Sequence, residues 1–205
     1  MIRAAEALSR LKEGNRRFVE GVTAQAVSHV DRRGQLVGGQ APMAVILGCA
    51  DSRVPAEIVF DQGLGDLFVI RVAGNVVAPS LVGSVEYATS VTGTRLVVVM
   101  GHSDCGAIQA AIDELQRPNT LRSPNLRAIV DRLSPAVSPL LETELREDRA
   151  RLVAAAVRAN IRASVDHLRH GSEILEGLIA EDALVVVGAE YSLETGVVEF
   201  FEEAG

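Results

Sequence analysis

Several features that would place this 205-residue chain in other classes of protein are missing or scarce. No stretch reaches the roughly 18 uninterrupted apolar residues of a membrane-spanning helix, and the N-terminus lacks the apolar segment of a secretory signal. Lysine and arginine form no run and the net charge is −7, which argues against nucleic acid as a partner. Only two cysteines occur, far apart, so without a signal segment a metal or redox role is favoured over a disulfide. We therefore expect a cytoplasmic protein that binds neither nucleic acids nor membranes.

The composition provides ample material for a buried core. Apolar residues make up 48% of the chain and charged residues 23%, and the mean hydropathy is +0.22. For a chain with this much charge, such a value indicates a buried sheet rich in Val, Leu and Ile, a large subunit interface, or both. The length fits a single domain over residues 1–205.

Short apolar runs alternate with amphipathic segments along most of the chain. This pattern predicts an α/β fold with a mostly parallel sheet of four to five strands, flanked by helices and preceded by an N-terminal helical arm. The predicted strands are 43–48, 67–72, 96–100, 184–187 and 197–201. The predicted helices are 3–20, 55–62, one beginning at Ser80, 107–115, 125–133, 140–170 and 172–180. Residues 21–42 are expected to be irregular, and Pro135 and Pro139 are expected to interrupt helix formation.

Two motifs follow two of these predicted strands. Cys49-Ala50-Asp51-Ser52-Arg53 comes after the strand at 43–48, and His102-Ser103-Asp104-Cys105-Gly106 comes after the strand at 96–100. If the strands are neighbours in the sheet, the motifs meet at the carboxyl edge, where α/β proteins bind ligands. Two thiolates and one imidazole suit Zn²⁺, and Asp51 is a possible fourth ligand. Cys105 is placed in the first turn of a helix, where the dipole favours a thiolate.

Two other interpretations use the same residues. Taken singly, a buried cysteine or histidine is more often part of a core than a metal ligand. A redox pair is the other chemistry open to Cys49 and Cys105, although the chain contains no Cys-x-x-Cys sequence. The combination of both motifs at two strand ends favours the metal.

The two motifs, with Val54 after the first, resemble those of the β-class carbonic anhydrases. The resemblance extends to Gly39-Gln40-Ala41-Pro42, to Leu67-Phe68-Val69-Ile70-Arg71 and to Gly83-Ser84-Val85-Glu86-Tyr87-Ala88. It is detailed from the N-terminal helix to about residue 115, and beyond that it is limited to the order of helices and strands.

The resemblance implies a lyase that reversibly hydrates carbon dioxide to bicarbonate and a proton through zinc-bound hydroxide, with one Zn²⁺ per subunit. It implies that Cys49, His102 and Cys105 bind the metal. Asp51 and Arg53 would form a catalytic pair: when Arg53 releases Asp51, the carboxylate would take the fourth zinc position and stop turnover. The substrate pocket would be formed by four residues, of which all but the last come from the partner subunit: Gln40, Phe68, Tyr87 and Gly106.

The same resemblance implies a homodimer or a dimer of dimers, in which residues 1–40 form a helical arm packed on the partner subunit. Some bacterial members carry a second bicarbonate pocket built on Trp, Arg and Tyr. This chain has no Trp and has Ile46 at that position, although Arg71 is present, so regulation through that pocket is not expected. Two alternatives remain: a carbonyl sulfide or carbon disulfide hydrolase on the same fold, and a zinc-binding protein without catalytic activity.

Overall fold

The computed structural model describes residues 2–23, 29–118, 121 and 123–201. Eight α-helices and five β-strands are found in these residues, and two short 3₁₀ turns lie at 73–75 and 144–147. The strands are β1 (Ala44–Gly48), β2 (Leu67–Arg71), β3 (Leu96–His102), β4 (Val185–Tyr191) and β5 (Val198–Phe200). The helices are α1 (Ala4–Val19), α2 (His29–Leu36), α3 (Ala56–Val59), α4 (Pro79–Val91), α5 (Gly106–Gln116), α6 (Pro124–Leu141), α7 (Arg149–His170) and α8 (Glu173–Ala180).

The strands form one sheet in the order β2-β1-β3-β4-β5. The first four are parallel and β5 is antiparallel to β4, which confirms the predicted mostly parallel α/β fold. β1 and β3 are neighbours, with Gly48 opposite Met100, so their carboxyl ends lie side by side. The polypeptide that follows each of these strands therefore begins at the same edge of the sheet.

Each face of the sheet carries its own hydrophobic core, because successive side chains of a strand point to opposite faces. Val45, Leu47, Val97 and Val99 face the core formed with helices α4 to α8. The alternate residues of β1 and β3 face a second core formed with α1, α3 and β5. Every residue of β1 and β3 is buried, which explains why these strands read as continuous apolar runs.

Helix α1 packs against its own chain through a small-residue contact and a hydrogen-bonded amide. Gly14 faces the Phe60 carbonyl so closely that a Cβ there would lie 1.8 Å from the oxygen. Asn15 is buried, and its amide donates to the carbonyls of Val59 and Gly196 at 3.1 and 2.9 Å. Its oxygen accepts from the Val198 N–H at 2.8 Å. A contact of the 1–40 arm with a partner subunit stays a prediction.

The prediction that residues 21–42 are irregular is wrong for α2. This helix is mostly polar, so its sequence lacks the apolar stripe by which a helix is recognised. Arg32 connects it to the turn before β2, donating to the Leu64 carbonyl at 3.0 Å and to the Asp66 carboxylate at 2.9 Å. Residues 24–28 of the predicted segment lie outside the described residues.

The predicted interruption at Pro135 and Pro139 is also wrong, because α6 continues through both prolines to Leu141. Both rings lie on the exposed side of the helix. On the other side Val130, Leu133 and Val137 are buried in the core with α4 to α8. Packing of this face therefore maintains the helix where two backbone N–H donors are missing.

The helix predicted over 140–170 begins only at Arg149. Residues 142–148 form a turn stabilised by side chains: the Thr143 hydroxyl accepts from the Leu145 N–H at 3.2 Å. Asp148 caps α7 by accepting from the Arg151 N–H at 3.1 Å.

In the described residues no helix is long and apolar enough to span a membrane.

Candidate metal centre

The three predicted metal ligands converge at the carboxyl edge of the sheet. Cys49 directly follows β1, His102 is the last residue of β3, and Cys105 immediately precedes α5. Their side-chain donor atoms lie within 4.8 Å of one another, and all three residues are buried, with exposed fractions of 5%, 0% and 2%. The adjacency of β1 and β3 in the sheet produces this convergence, as the sequence predicted.

The imidazole of His102 has one nitrogen available for a metal. Its Nδ1 lies 2.8 Å from the Ser103 carbonyl oxygen, so Nδ1–H donates there and Nε2 retains a lone pair. Nε2 is buried and, within the described part of the chain, has no hydrogen-bond partner. A buried acceptor without a donor is unfavourable in a protein interior. A cation held between this nitrogen and the two sulfurs would satisfy it, and the donor set fits Zn²⁺.

The two thiols influence each other strongly. The hydrogen bond with Cys105 lowers the pKa of the Cys49 thiol to about 4 against the opposing effect of burial, and the His102 imidazole assists. The N–H groups of Asp51 and Gly74, each 3.4 Å from Sγ, lower this pKa further. The same pair interaction, together with burial, raises the pKa of Cys105 above its usual range. It outweighs the N–H groups at the start of α5, which were expected to favour a thiolate there. A cation between the two sulfurs would stabilise both of them as thiolates.

Asp51 is bound to Arg53 at the border of the cluster. Its Oδ1 accepts from the backbone N–H and from Nε of Arg53, both at 2.9 Å, and its Oδ2 accepts from Nη2 at 2.7 Å. These side-chain hydrogen bonds hold the pKa of the Asp51 carboxyl well below its usual range. Oδ2 lies 3.8 Å from Nε2 of His102, so the carboxylate is near the metal ligands while paired with the guanidinium.

Arg71 fixes the backbone that carries Cys49 and Asp51. It is the last residue of β2 and lies opposite Gly48 in the sheet. Its Nε donates to the Cys49 carbonyl at 3.0 Å and its Nη2 to the Asp51 carbonyl at 2.5 Å. This role of Arg71 was not predicted from the sequence. The signal that could have found it is the position of an arginine at the end of the strand beside the ligand-bearing strand.

Of the four residues predicted for the substrate pocket, Gly106 lies beside a predicted metal ligand, whereas Phe68 and Tyr87 lie next to each other elsewhere. Gly106 is the exposed first residue of α5, next to Cys105. Phe68 lies opposite Val45, which is four residues and therefore about 13 Å before Cys49 along β1. Its ring centroid is 6.2 Å from that of Tyr87, which is 49% exposed, and Gln40 is exposed as well.

Known proteins resemble this chain in sequence and in fold. The sequence model of a family described as "Carbonic anhydrase" matches residues 44–198. "Carbonic anhydrase 2" of Mycobacterium tuberculosis (strain H37Rv) is 44% identical over 186 residues, which cover 91% of this chain and 87% of the relative. A solved structure described as the β-carbonic anhydrase CcaA superposes with a TM-score of 0.76 at 27% identity, covering 95% of both chains. Tetrameric β-carbonic anhydrases from Sordaria macrospora give a TM-score of 0.75 at 26% identity, covering 85% of this chain and 88% of theirs.

Proposed function

This chain belongs to the β-class carbonic anhydrases, and from that membership we propose that it catalyses the reversible hydration of carbon dioxide to bicarbonate and a proton. The observation that carries the proposal is the buried set of two thiols and one imidazole, with donor atoms within 4.8 Å of one another. The enzyme is a zinc-dependent lyase, with Cys49, His102 and Cys105 as the residues that would hold one Zn²⁺ per subunit. When bound, the metal supplies a Lewis acid that makes water nucleophilic near neutral pH.

We assign the control of this centre to Asp51 and Arg53. Arg53 holds the Asp51 carboxylate away from the ligand set through two side-chain hydrogen bonds of 2.9 and 2.7 Å. In that position the carboxylate is an acceptor beside the reacting water and orients it toward the substrate. Released from Arg53, the same carboxylate would become a fourth metal ligand and exclude water from the centre.

The substrate is small and apolar, so its pocket requires apolar walls and one hydrogen-bond donor. We assign the walls to Phe68 and Tyr87 of the partner subunit, the donor to Gln40 of that subunit, and one side to Gly106. Measured along the strand direction, Phe68 lies about 13 Å from Cys49. This separation supports a role of Phe68 in the site of a neighbouring subunit rather than in the site of its own chain. Tyr87 remains 49% exposed in the single chain, as a residue that packs on a partner would.

For the assembly we propose a homodimer or a dimer of dimers. The edge strand β2 supports it, because its apolar residues Leu67–Ile70 are only partly buried in the single chain. Val91, on α4, is 65% exposed. The related Sordaria enzymes are described as tetrameric. We place the enzyme in the cytoplasm, because a reducing compartment keeps the two free cysteines as thiols.

The proposed activity is tested by measuring zinc content and carbon dioxide hydration on one purified sample. We expect one zinc per chain and hydration far above the uncatalysed rate. His102→Ala should lose both, whereas the control His167→Ala, on the exposed side of α7, should keep both. Full zinc occupancy without hydration would make the chain a zinc-binding protein without catalytic activity. Hydrolysis of carbonyl sulfide or carbon disulfide in place of carbon dioxide hydration would assign the alternative reaction.

A further inference from the structure

A cavity lies at the end of the sheet opposite the metal centre. Its volume is about 320 Å³, within the range of about 300–1,000 Å³ found for small-molecule sites. Its lining includes Arg95, which directly precedes β3, whereas His102 is the last residue of that strand. The length of β3 therefore separates the cavity from the metal ligands by about 20 Å.

Arg95 brings to this cavity a positive charge that the protein does not neutralise. Arg95 is partly buried, and its Nη1 is fully buried and has no hydrogen-bond partner among the described residues. Across the described part of the chain, its side chain forms no hydrogen bond and no ion pair. Charged groups removed from water are normally paired, because desolvation without compensation is unfavourable. An arginine with free donors in a cavity is therefore a candidate anion-binding group.

The other charged groups of the lining are compatible with an anion. Arg10 of α1 lies on the solvent side of the cavity, with 55% of its side chain exposed, and it pairs with Glu6 at 2.6 Å. Asp66 is the one carboxylate among the described lining residues. Its negative charge is already compensated by Arg32 at 2.9 Å and by the Gly63 N–H at 2.8 Å.

The remaining walls define the size and character of a ligand. Ile2, Pro42 and Met43 present apolar surface, and Thr92 adds a hydroxyl. We propose that this cavity binds a small oxyanion of the phosphate or carboxylate type, held by the Arg95 guanidinium with Arg10 on the solvent side. The anion supplies the acceptor oxygens that Arg95 lacks, and the apolar walls accept a small organic body attached to it.

The test is calorimetric titration of the zinc-loaded, full-length protein with inorganic phosphate and, separately, with sodium acetate, at constant ionic strength. We expect saturable binding that Arg95→Met weakens about 10- to 100-fold, the range expected for the loss of hydrogen bonds to a charged group. The control is Arg146→Gln, which removes an exposed arginine outside the cavity and should leave affinity unchanged. Tighter binding of phosphate than of acetate assigns the phosphate type, and the reverse assigns the carboxylate type.

Thermal unfolding separates binding from a purely structural role of Arg95. Without added anion, Arg95→Met should unfold at the same or a higher temperature, because an unpaired charge has been removed. A lower unfolding temperature with undiminished phosphate binding would overturn the proposal, as would the absence of saturable binding to the unmodified protein. If Arg95→Met fails to fold, Arg95→Lys replaces it and should bind more weakly than the unmodified protein. Carbon dioxide hydration should be unchanged in either variant, so the failure of this proposal is distinguishable from that of the proposed function.

Discussion

Replacing Gly14 by alanine tests whether α1 is held in direct contact with the backbone of Phe60. In an isolated helix this substitution stabilises by about 1 kcal/mol, because alanine is the better helix former. In the folded chain the added Cβ would lie 1.8 Å from the Phe60 carbonyl oxygen and 2.8 Å from Nε2 of Gln62. The structure therefore predicts the opposite sign from helix propensity.

The expected loss of stability follows from the hydrogen bonds that α1 would have to break. Real Cβ contacts under 3.0 Å essentially do not occur, so α1 must move outward by about 1.2 Å, the difference between 3.0 and 1.8 Å. That movement breaks the three hydrogen bonds of the neighbouring Asn15, which measure 3.1, 2.9 and 2.8 Å. At about 1 kcal/mol each they outweigh the helix-propensity gain, leaving a net loss of about 2 kcal/mol. For a chain of this size the loss lowers the unfolding temperature by about 4–8 °C.

The measurement is denaturant and thermal unfolding of the zinc-loaded protein at one fixed protein concentration, since an oligomer's stability depends on concentration. The control is Gly177→Ala in α8, where nothing lies within 4 Å of the added Cβ and a gain of up to about 1 kcal/mol is expected. The reasoning is refuted if Gly14→Ala is as stable as the unmodified protein, or more stable.

Three further predictions concern the metal centre. Arg53→Met removes both side-chain hydrogen bonds to Asp51 and should lower the hydration rate about 100-fold or more, with an added oxygen ligand visible by X-ray absorption; full activity would contradict it. Arg71→Met frees the carbonyls of Cys49 and Asp51, so zinc affinity measured by chelator competition should fall about 10- to 100-fold, and an unchanged affinity would argue against this role. Removing zinc should lower the unfolding temperature by about 10 °C relative to protein with zinc at 1,000 times its dissociation constant, and equal scans would count against a metal that binds the folded state.

The sequence was sufficient for the sheet and for the convergence of the proposed ligands, because both follow from local patterns. β1 and β3 are buried on both faces, so they appear as uninterrupted apolar runs, and the proposed ligands stand at or just after their carboxyl ends. The convergence of Cys49 with His102 required only that β1 and β3 be neighbours, as they are in the sheet order β2-β1-β3.

What the sequence left undetermined depends on contacts between segments distant in the chain. Pro135 and Pro139 predict a break, yet burial of Val137 and its neighbours keeps α6 continuous, and no local rule includes that packing. The role of Arg71 depends on the β1–β2 register, which brings it opposite Gly48. The positions of Phe68 and Tyr87 relative to a substrate depend on a second subunit, so they stay predictions.

The hydrogen bonds of Asn15 also constrain the order in which the chain can assemble. Asn15 lies in the first helix, and its partner Val198 lies in the last strand, 183 residues later. During synthesis the Asn15 side chain is made 183 residues before this partner. Contacts between such distant residues are slow to form because a long loop must close first. The contact of α1 with β5 is therefore expected to form late in folding, after the contact of Asn15 with Val59, and until then the apolar face between α1 and β5 is open to solvent and to chaperones.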